Sequence, residues 1–570
     1  MKKLFTLTLI LIVCAGILGS TDYYVKNGGS NGNTGLSDAQ AWATLTYAMS
    51  QLNGNESDNF LYLKRGSVWR EQMEFVGGYG TSGHPFTIGA YDTGAYPKIM
   101  GSDQVSTWSD QGGNIWRASC ASYPGGGDNN GPVLFINTNG DGKTHWGVRD
   151  TTPDAEYDWY WSSNYLYCYS PADPDTRYGS VEAANRMDGI RTRWDSHYLY
   201  IRDIEVAYTT REGIYGESGV DGGTVDGCYV HHSGPYDDQA GTQWAADNIY
   251  WEGNNWTVKN NICSDAAAHN IQHYGSECDS TWDYIEYNIC YNGGHAQVDT
   301  KHNGPSGTMQ NQIIRYNIIY TDADYPWPNR TDNAAISILS DMGYYLDNTQ
   351  IYGNIILNFW KHGIYLDYYV DGCTIYNNVI YGRNPLCTDT ADYPSAIGAY
   401  TWNGPQRYIT IKNNIIAGDM HDCAAGLVSW TTGGLGKFTD IDYNCYYMTN
   451  APYIMVDAGN SDTTYSSAQW AAWKTASGFD ENSKWNINPL FVNAGGANAV
   501  DYKITSGSPC KDMGVDVSIS TDFWGTAIPQ GVAPDIGVHE YADSPTAHVI
   551  KLAPGTVIRL GAGTTVRIKN

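Results

Sequence analysis

Six segments of this chain share one pattern, an apolar strand, an asparagine, then another apolar pair: TVKNNICSD, YIEYNICYN, IIRYNIIYT, QIYGNIILN, TIYNNVIYG and TIKNNIIAG. Their aligned asparagines are Asn261, Asn288, Asn317, Asn354, Asn378 and Asn414, and Asn444 in DYNCYY continues the series. The separations, 27, 29, 37, 24, 36 and 30 residues, describe one turn of a solenoid with loops of variable length inserted on particular sides. A second register runs beside the first. Ile204, Asn261, Asn288 and Asn354 are each followed ten residues later by an apolar residue, Ile214, Ile271, Val298 and Ile364, so a fixed arc joins two strands in each coil. Strands of three to five residues with asparagine at a repeated bend predict an all-β chain wound as a right-handed parallel β-helix. Buried amides then bond the turn backbone and one another up the stack. Asparagine scattered at random through loops would not hold this register.

Composition agrees with a turn-rich β protein: 64 Gly, 46 Tyr and 20 Trp in 570 residues, 42% hydrophobic. Lys and Arg number 33 against 60 Asp and Glu, a net charge of −27, which argues against a groove for a nucleic-acid backbone. The opening MKKLFTLTLILIVCAGILGS has the form of a secretory signal peptide over residues 1–20, with the mature chain starting near Thr21. Lipidation at Cys14 is disfavoured by Val13, where a small residue is normally wanted. No later apolar run is long enough to span a bilayer, so a secreted or cell-surface protein without a transmembrane span is expected. Of the 12 cysteines, those beyond Cys14 are odd in number and cannot all pair within one chain. Cys263 and Cys290 occupy equivalent places in successive repeats, where a disulfide and a reduced ladder are both sterically open.

The repeats and their flanks resemble the extracellular, pectate-lyase-like right-handed β-helix proteins, many of which are polysaccharide lyases or glycoside hydrolases. DYYVKNGGSNGNTGLSDAQAWATLTYAM resembles that superfamily's entry segment, with a capping helix expected at about 39–52. LYLKRGSVWREQMEF, GTSGHPFTIGAYDTGAYPKIMGSD and YLYCYSPADPD look like its first coils. WAAWKTASGFDENSKWNINPLFVN, YKITSGSPCKDMG and PDIGVHEY look like its closing coils. The expected division is 21–125 for the cap and first coils, 126–543 for the core and closing coils, and 544–570 for a basic β appendage or end cap. The resemblance specifies the fold more than the reaction, because one scaffold carries lyases, hydrolases and binding proteins.

In a β-helix the outward residues of one parallel sheet form a long groove that can hold a polymer. With Ile214, Ile249, Ile271, Val298 and Ile364 inward, the outward neighbours include Tyr250, Glu252, Asn270, Gln272, Gln297, Asp299, Lys301, Tyr365 and Asp367. Amides and phenols suit a carbohydrate, and Tyr250, Gln272, Asn270, Gln297 and Tyr365 are expected to bind substrate. VDTKHN is the strongest local signal, since Asp299 and Lys301 share a strand face and His302 closes it. Desolvated by substrate, Lys301 can remove the C5 proton of a uronic sugar, with Ca²⁺ or arginine stabilising the developing charge. Asp299, Lys301, His302 and His273 are therefore the candidate catalytic residues, and Asp247, Glu252, Asp299 and Asp367 the candidate calcium ligands. A surface ion pair between Asp299 and Lys301 is the plain alternative.

Arg211 and Arg315 are candidate clamps for a substrate carboxylate, although Arg315 precedes Asn317 and so falls on another sheet. Trp244, Trp282 and Trp327 ride on long insertions and can stack on sugar rings. The preferred expectation is an exported, calcium-assisted β-eliminating polysaccharide lyase. A glycoside hydrolase using groove carboxylates and a non-catalytic glycan-binding surface or fibre-like protein are the alternatives.

Overall fold

The computed structural model describes residues 20–542 apart from 53, 122–132, 139–142, 235–245, 276–281, 303–308, 323–333, 341–345, 388–392, 401–407, 422–424, 431–434, 436–437 and 458–462. Residues 1–19 of the expected leader and the basic segment 544–570 lie outside the described residues. No helix among the described residues is long and apolar enough to cross a membrane.

The chain winds as a right-handed parallel β-helix of three sheets, each 12-stranded. One coil shows the plan. Tyr284–Glu286 lies in the first sheet, Ile289–Tyr291 in the second and Ala296–His302 in the third, before Ile313–Arg315 returns to the first. Parallel pairing stacks each strand on its equivalent in the next coil. The inward aliphatic residues of all three sheets form one continuous core.

The expected asparagines stack at the bend between the first and second sheets, and all seven from Asn261 to Asn444 are fully buried. Asn288 is typical. Its backbone N–H and its Nδ2 both donate to Asn317 Oδ1, at 2.9 and 3.1 Å, and Nδ2 also donates to the Val258 carbonyl. The same contacts recur at Asn261, Asn317, Asn354, Asn378 and Asn414. The residue before each asparagine has positive φ, and it is Tyr287 or Tyr316 as readily as Gly353. That conformation costs a tyrosine about 1–2 kcal/mol, which the ladder it permits offsets.

The cap is present but shorter than expected. A 3₁₀ turn spans Asp38–Gln40 and the helix itself spans Leu45–Gln51, started by Thr44, whose hydroxyl accepts from the Tyr47 N–H. Leu45 and Ala48 bury into the first coils. A second helix, Trp470–Ser477, seats Trp473 in the same core at the opposite end.

Two expectations are corrected. YLYCYSPADPD is not a coil: Tyr165–Tyr169 belongs to a mostly antiparallel insert between the second-sheet strand Lys98–Met100 and the third-sheet strand Ile190–Thr192. The insert has its own core around Trp159, Leu166, Ile136 and Val181, and it runs across the 125/126 division. YKITSGSPCKDMG and PDIGVHEY add no further coil. They turn back along the outside of the second sheet, where Phe491, Tyr502, Ile504, Ile536 and Val538 cover Ile355, Val379 and Ile415. The described cysteines are free, and Cys263 and Cys290 pair across adjacent coils as buried thiols.

Candidate active site

The asparagine bend always takes two residues, for example between Thr257–Lys259 and Ile262–Ser264. Every long interruption of the coils falls instead at an end of a third-sheet strand. The third sheet is thus the face whose two margins carry the chain's variable segments, where functional residues concentrate.

Its residues form columns that repeat once per coil, about 4.8 Å apart. Ile190, Ile214, Ile249, Ile271, Val298, Ile336 and Ile364 pair in series and point inward, fully buried. The next column, facing out, reads Arg191, Tyr215, Tyr250, Gln272, Asp299, Ser337 and Tyr365. Two positions before the inward column stand Asp188, Glu212, Asp247 and His269, followed by Ala296 and Ala334. Three acids and a histidine therefore occupy one column over four successive coils, alongside a floor of tyrosines.

The arginines hold the lower end of this column. Arg211 makes a two-pronged ion pair with Asp188 at 3.0–3.1 Å and lies 4.7 Å over the Tyr215 ring. Arg191 bridges Asp188 and Glu217 and covers the same ring. Glu212 has only a long contact of this kind, with Arg211 Nε 4.0 Å from its Oε1. Its Oε2 accepts the Asp247 backbone N–H at 2.6 Å, but burial and the neighbouring Asp247 raise its pKa well above the ordinary carboxylate value. Glu212 is a carboxyl that keeps its proton.

Above it, Asp247 Oδ1 accepts from both the backbone N–H and Nδ1 of His269, at 2.8 and 2.9 Å. His269 Nε2 meets His295 Nδ1 at 2.9 Å and stands 4.0 Å from Asp299 Oδ2. Burial opposes charge on this imidazole, but Asp247 and Asp299 outweigh it and raise its pKa. Asp299 Oδ2 also accepts from Gln272 Nε2 at 2.7 Å. Asp247 Oδ2 and Asp299 Oδ1 are buried without a hydrogen-bond partner. Such an orphan acceptor costs about 1–3 kcal/mol.

No protein-family model and no curated protein sequence matches this chain. Among solved structures, XylC, solved as a complex with xylose, is similar with a TM-score of 0.51 over 91% of this chain and 99% of its own, at 12% identity. The fold they share is a parallel β-helix. Pectate lyase Pel9A (TM-score 0.47, 13% identity, 92% of this chain and 97% of its own) and the GH136 lacto-N-biosidase from Eubacterium ramulus (0.46, 13%, 76% and 65%) also match. At these identities the likeness is one of fold alone.

Along the third sheet the expected residues part company. Lys301 faces outward, half-buried, in register with Tyr274 and Leu339, and its charge acts on His269. Tyr250 faces outward and donates to Glu252 at 2.8 Å. Gln272 and Asp299 are on the same face but almost fully buried. Tyr365 donates to Asp367 Oδ2 at 2.8 Å, and Asp367 Oδ1 accepts the Tyr368 N–H. Trp282 stands 49% exposed in the connection from the third sheet to the first. Trp244 and Trp327 lie outside the described residues.

His273 and His302 are not in the groove. Strand alternation turns both into the solenoid, fully buried. His273 bonds Gln312 and the Gly253 carbonyl and stacks on Trp251, so it is a core histidine. Asn270 and Gln297 are not substrate contacts either. They continue a second buried amide ladder, in which Asn248 Nδ2 donates to Asn270 Oδ1 and Asn270 Nδ2 to Gln297 Oε1, at 2.7 and 2.6 Å. Arg315 lies on the first sheet, paired with Glu286 and Tyr352. Arg211 borders the groove, but Asp188 occupies its guanidinium.

The four expected calcium ligands do not fit one ion. Among the described residues no three His, Cys, Asp or Glu side chains gather as a metal set. The His269 imidazole stands between Asp247 and Asp299, while Glu252 and Asp367 each hold a tyrosine hydroxyl.

Proposed function

We propose that the protein is an exported, polysaccharide-degrading enzyme that hydrolyses a neutral or weakly charged glycan by carboxyl acid–base catalysis on the third sheet. One observation carries this proposal: in adjacent coils of the third sheet, about 4.8 Å apart along the axis, Glu212, a carboxyl whose pKa burial raises, stands beside Asp247, a carboxyl with a bare oxygen. Hydrolysis needs both, one group to give a proton to the leaving glycosidic oxygen and one to take a proton from the attacking water. Glu212 supplies the first and Asp247, one coil above it, the second. The His269 imidazole stabilises the negative charge of Asp247 and Asp299 between them. Tyr215 and Tyr250 offer ring faces to a sugar. The net charge of −27 also favours a neutral chain over a polyuronate. The leader sequence supports export.

The test is product analysis on a polysaccharide panel. New reducing ends without the ultraviolet absorbance of an unsaturated uronide are expected. Glu212→Gln and Asp247→Asn should each lower turnover by about 10² to 10⁴, the usual contribution of a general acid or base. Near-normal cleavage by folded Asp247→Asn protein would sink the assignment.

A β-eliminating lyase is the second reading, favoured by Lys301 standing half-exposed on the outward face two residues from Asp299. It predicts unsaturated product and its loss in Lys301→Ala. Under the hydrolytic reading a calcium chelator leaves turnover unchanged, and abolition by chelator would restore the calcium-assisted lyase.

A further inference from the structure

Several of the described tryptophans fill the core: Trp159, Trp251, Trp256 and Trp473 are 0–1% exposed. Trp194 is 68% exposed. It follows the third-sheet strand Ile190–Thr192, on the margin where the chain passes to the first sheet. Single exposed apolar residues are common on loose surfaces, but this one is not on a loose surface. Its backbone N–H donates to Glu217 Oε2 at 3.1 Å. Arg193 beside it pairs with Glu74 and Glu217, and Ser196 ties the turn to the Phe75 and Arg193 carbonyls. Glu217 also holds Arg191, whose guanidinium lies 5.1 Å over the Tyr215 ring. One carboxylate thus fixes both the exposed indole's backbone and the first aromatic of the groove floor.

From there the floor continues without a break. Tyr215 and Tyr250 are 5.3 Å apart between ring centroids, and Tyr250 and Tyr274 are 6.0 Å apart. Three coils above Trp194 the same margin carries Trp282, 49% exposed. At about 4.8 Å per coil, the two indoles stand roughly 14 Å apart along the helix axis.

We propose that Trp194, with Trp282, forms a pair of stacking subsites for pyranose rings on the first-sheet margin of the groove, holding a glycan chain parallel to the solenoid axis past Glu212 and Asp247. The ligand class is a polysaccharide long enough to reach both indoles. Apolar sugar faces stack on aromatic rings, and a rigid, already exposed indole gives up little conformational entropy on binding. The subsite rests on the reading of the third sheet as a polysaccharide groove, but it does not depend on whether the reaction is hydrolysis or elimination.

Native gel retardation separates the two questions, with xylan, a mixed-linkage β-glucan or polygalacturonate cast into the gel. Wild-type protein is expected to be retarded by at least one neutral polysaccharide. Trp194→Ala should weaken that retardation on the order of 5- to 10-fold in Kd, the scale of one aromatic contact, and Trp194→Phe should recover part of it. Trp282→Ala should act in the same direction. Retardation that Trp194→Ala leaves unchanged overturns the subsite while the catalytic assignment stands. Retardation of the wild type without cleavage sinks the hydrolytic reading, and its loss in Trp194→Ala then still supports the subsite. Absence of wild-type retardation in all three gels overturns the subsite.

Discussion

Glu212 is costly to keep as a buried carboxyl, and that cost can be read out. Its pKa is raised in the folded chain, so between the ordinary carboxylate range and its own folded value the unfolded chain has released a proton that the folded chain still holds. The folded state binds more protons there, and stability falls as pH rises through that window. Glutamine removes the titration while keeping the shape. Glu212→Gln should therefore melt higher than wild type at pH 7 and show a smaller difference at pH 4, while losing activity, as expected where function is retained at a cost in stability. Equal melting shifts at both pH values would remove the protonated-acid assignment. The column that carries Glu212 was legible in the sequence. DGIR, EGIY, DNIY and HNIQ align Asp188, Glu212, Asp247 and His269 two places before the inward isoleucines. Of this column only Asp247 is among the expected site residues, as a calcium ligand, because a single acid before an isoleucine carries no sign of a column until the coils are aligned. His273 and His302 failed for a different reason. Strand parity alone puts them on the inward face with Ile271 and Val298, and density of histidine in a segment says nothing about parity.

The asparagine ladder is the element on which the coils depend for alignment. Asn317→Ala would leave the Asn288 N–H, the Asn288 amide and the Ile285 carbonyl without the acceptor or donor they now use. At about 1–3 kcal/mol for each buried group left unsatisfied, a loss of several kcal/mol is expected in urea unfolding. Asn444 accepts from Asn414 and donates to the Ile411 carbonyl and to Ser483, but to no further asparagine, whereas Asn317 also donates to Asn354, so Asn444→Ala should cost less than Asn317→Ala. Equal losses would mean the ladder is not a cooperative stack. This element could be read from sequence because a single residue type recurs at one bend with a fixed neighbourhood. The insert between Met100 and Ile190 could not. Its strands are as short and as aromatic as those of the coils, and only pairing partners far apart in the chain, such as Val133 with Ala184, distinguish an antiparallel layer from another rung. The returning C-terminal segment was missed likewise, because its apolar residues fit an outer covering as well as a core.

Across the molecule, buried carboxyls set the pH dependence. Burial pushes Asp265 and Asp480 up to about 6 and Asp535 up to about 7. Each keeps a proton in the folded chain that the unfolded chain gives up near the ordinary aspartate value, so each lowers stability as pH rises from about 4 to about 7. Exposed acids held low, such as Asp92 and Asp501, act in a different window, below the ordinary carboxylate pKa, and solvent screens them. With the high net negative charge adding self-repulsion, the melting temperature should be higher at pH 5 than at pH 8. A flat or rising profile over that interval would contradict the buried-acid account.

A stack of coils that touch only their neighbours can be peeled from one end, rung after rung, by a pull or by a protease that waits for fraying. The returning C-terminal segment forbids this at its end of the molecule. Tyr316 bonds the Thr521 carbonyl, Asn377 bonds Asp535 and Gly537, and Asn413 bonds Val515 in both directions. Coils from Tyr316 to Asn413 are laced to one strap, so load applied at the C-terminal end is shared by several rungs at once and that half of the solenoid yields as a block.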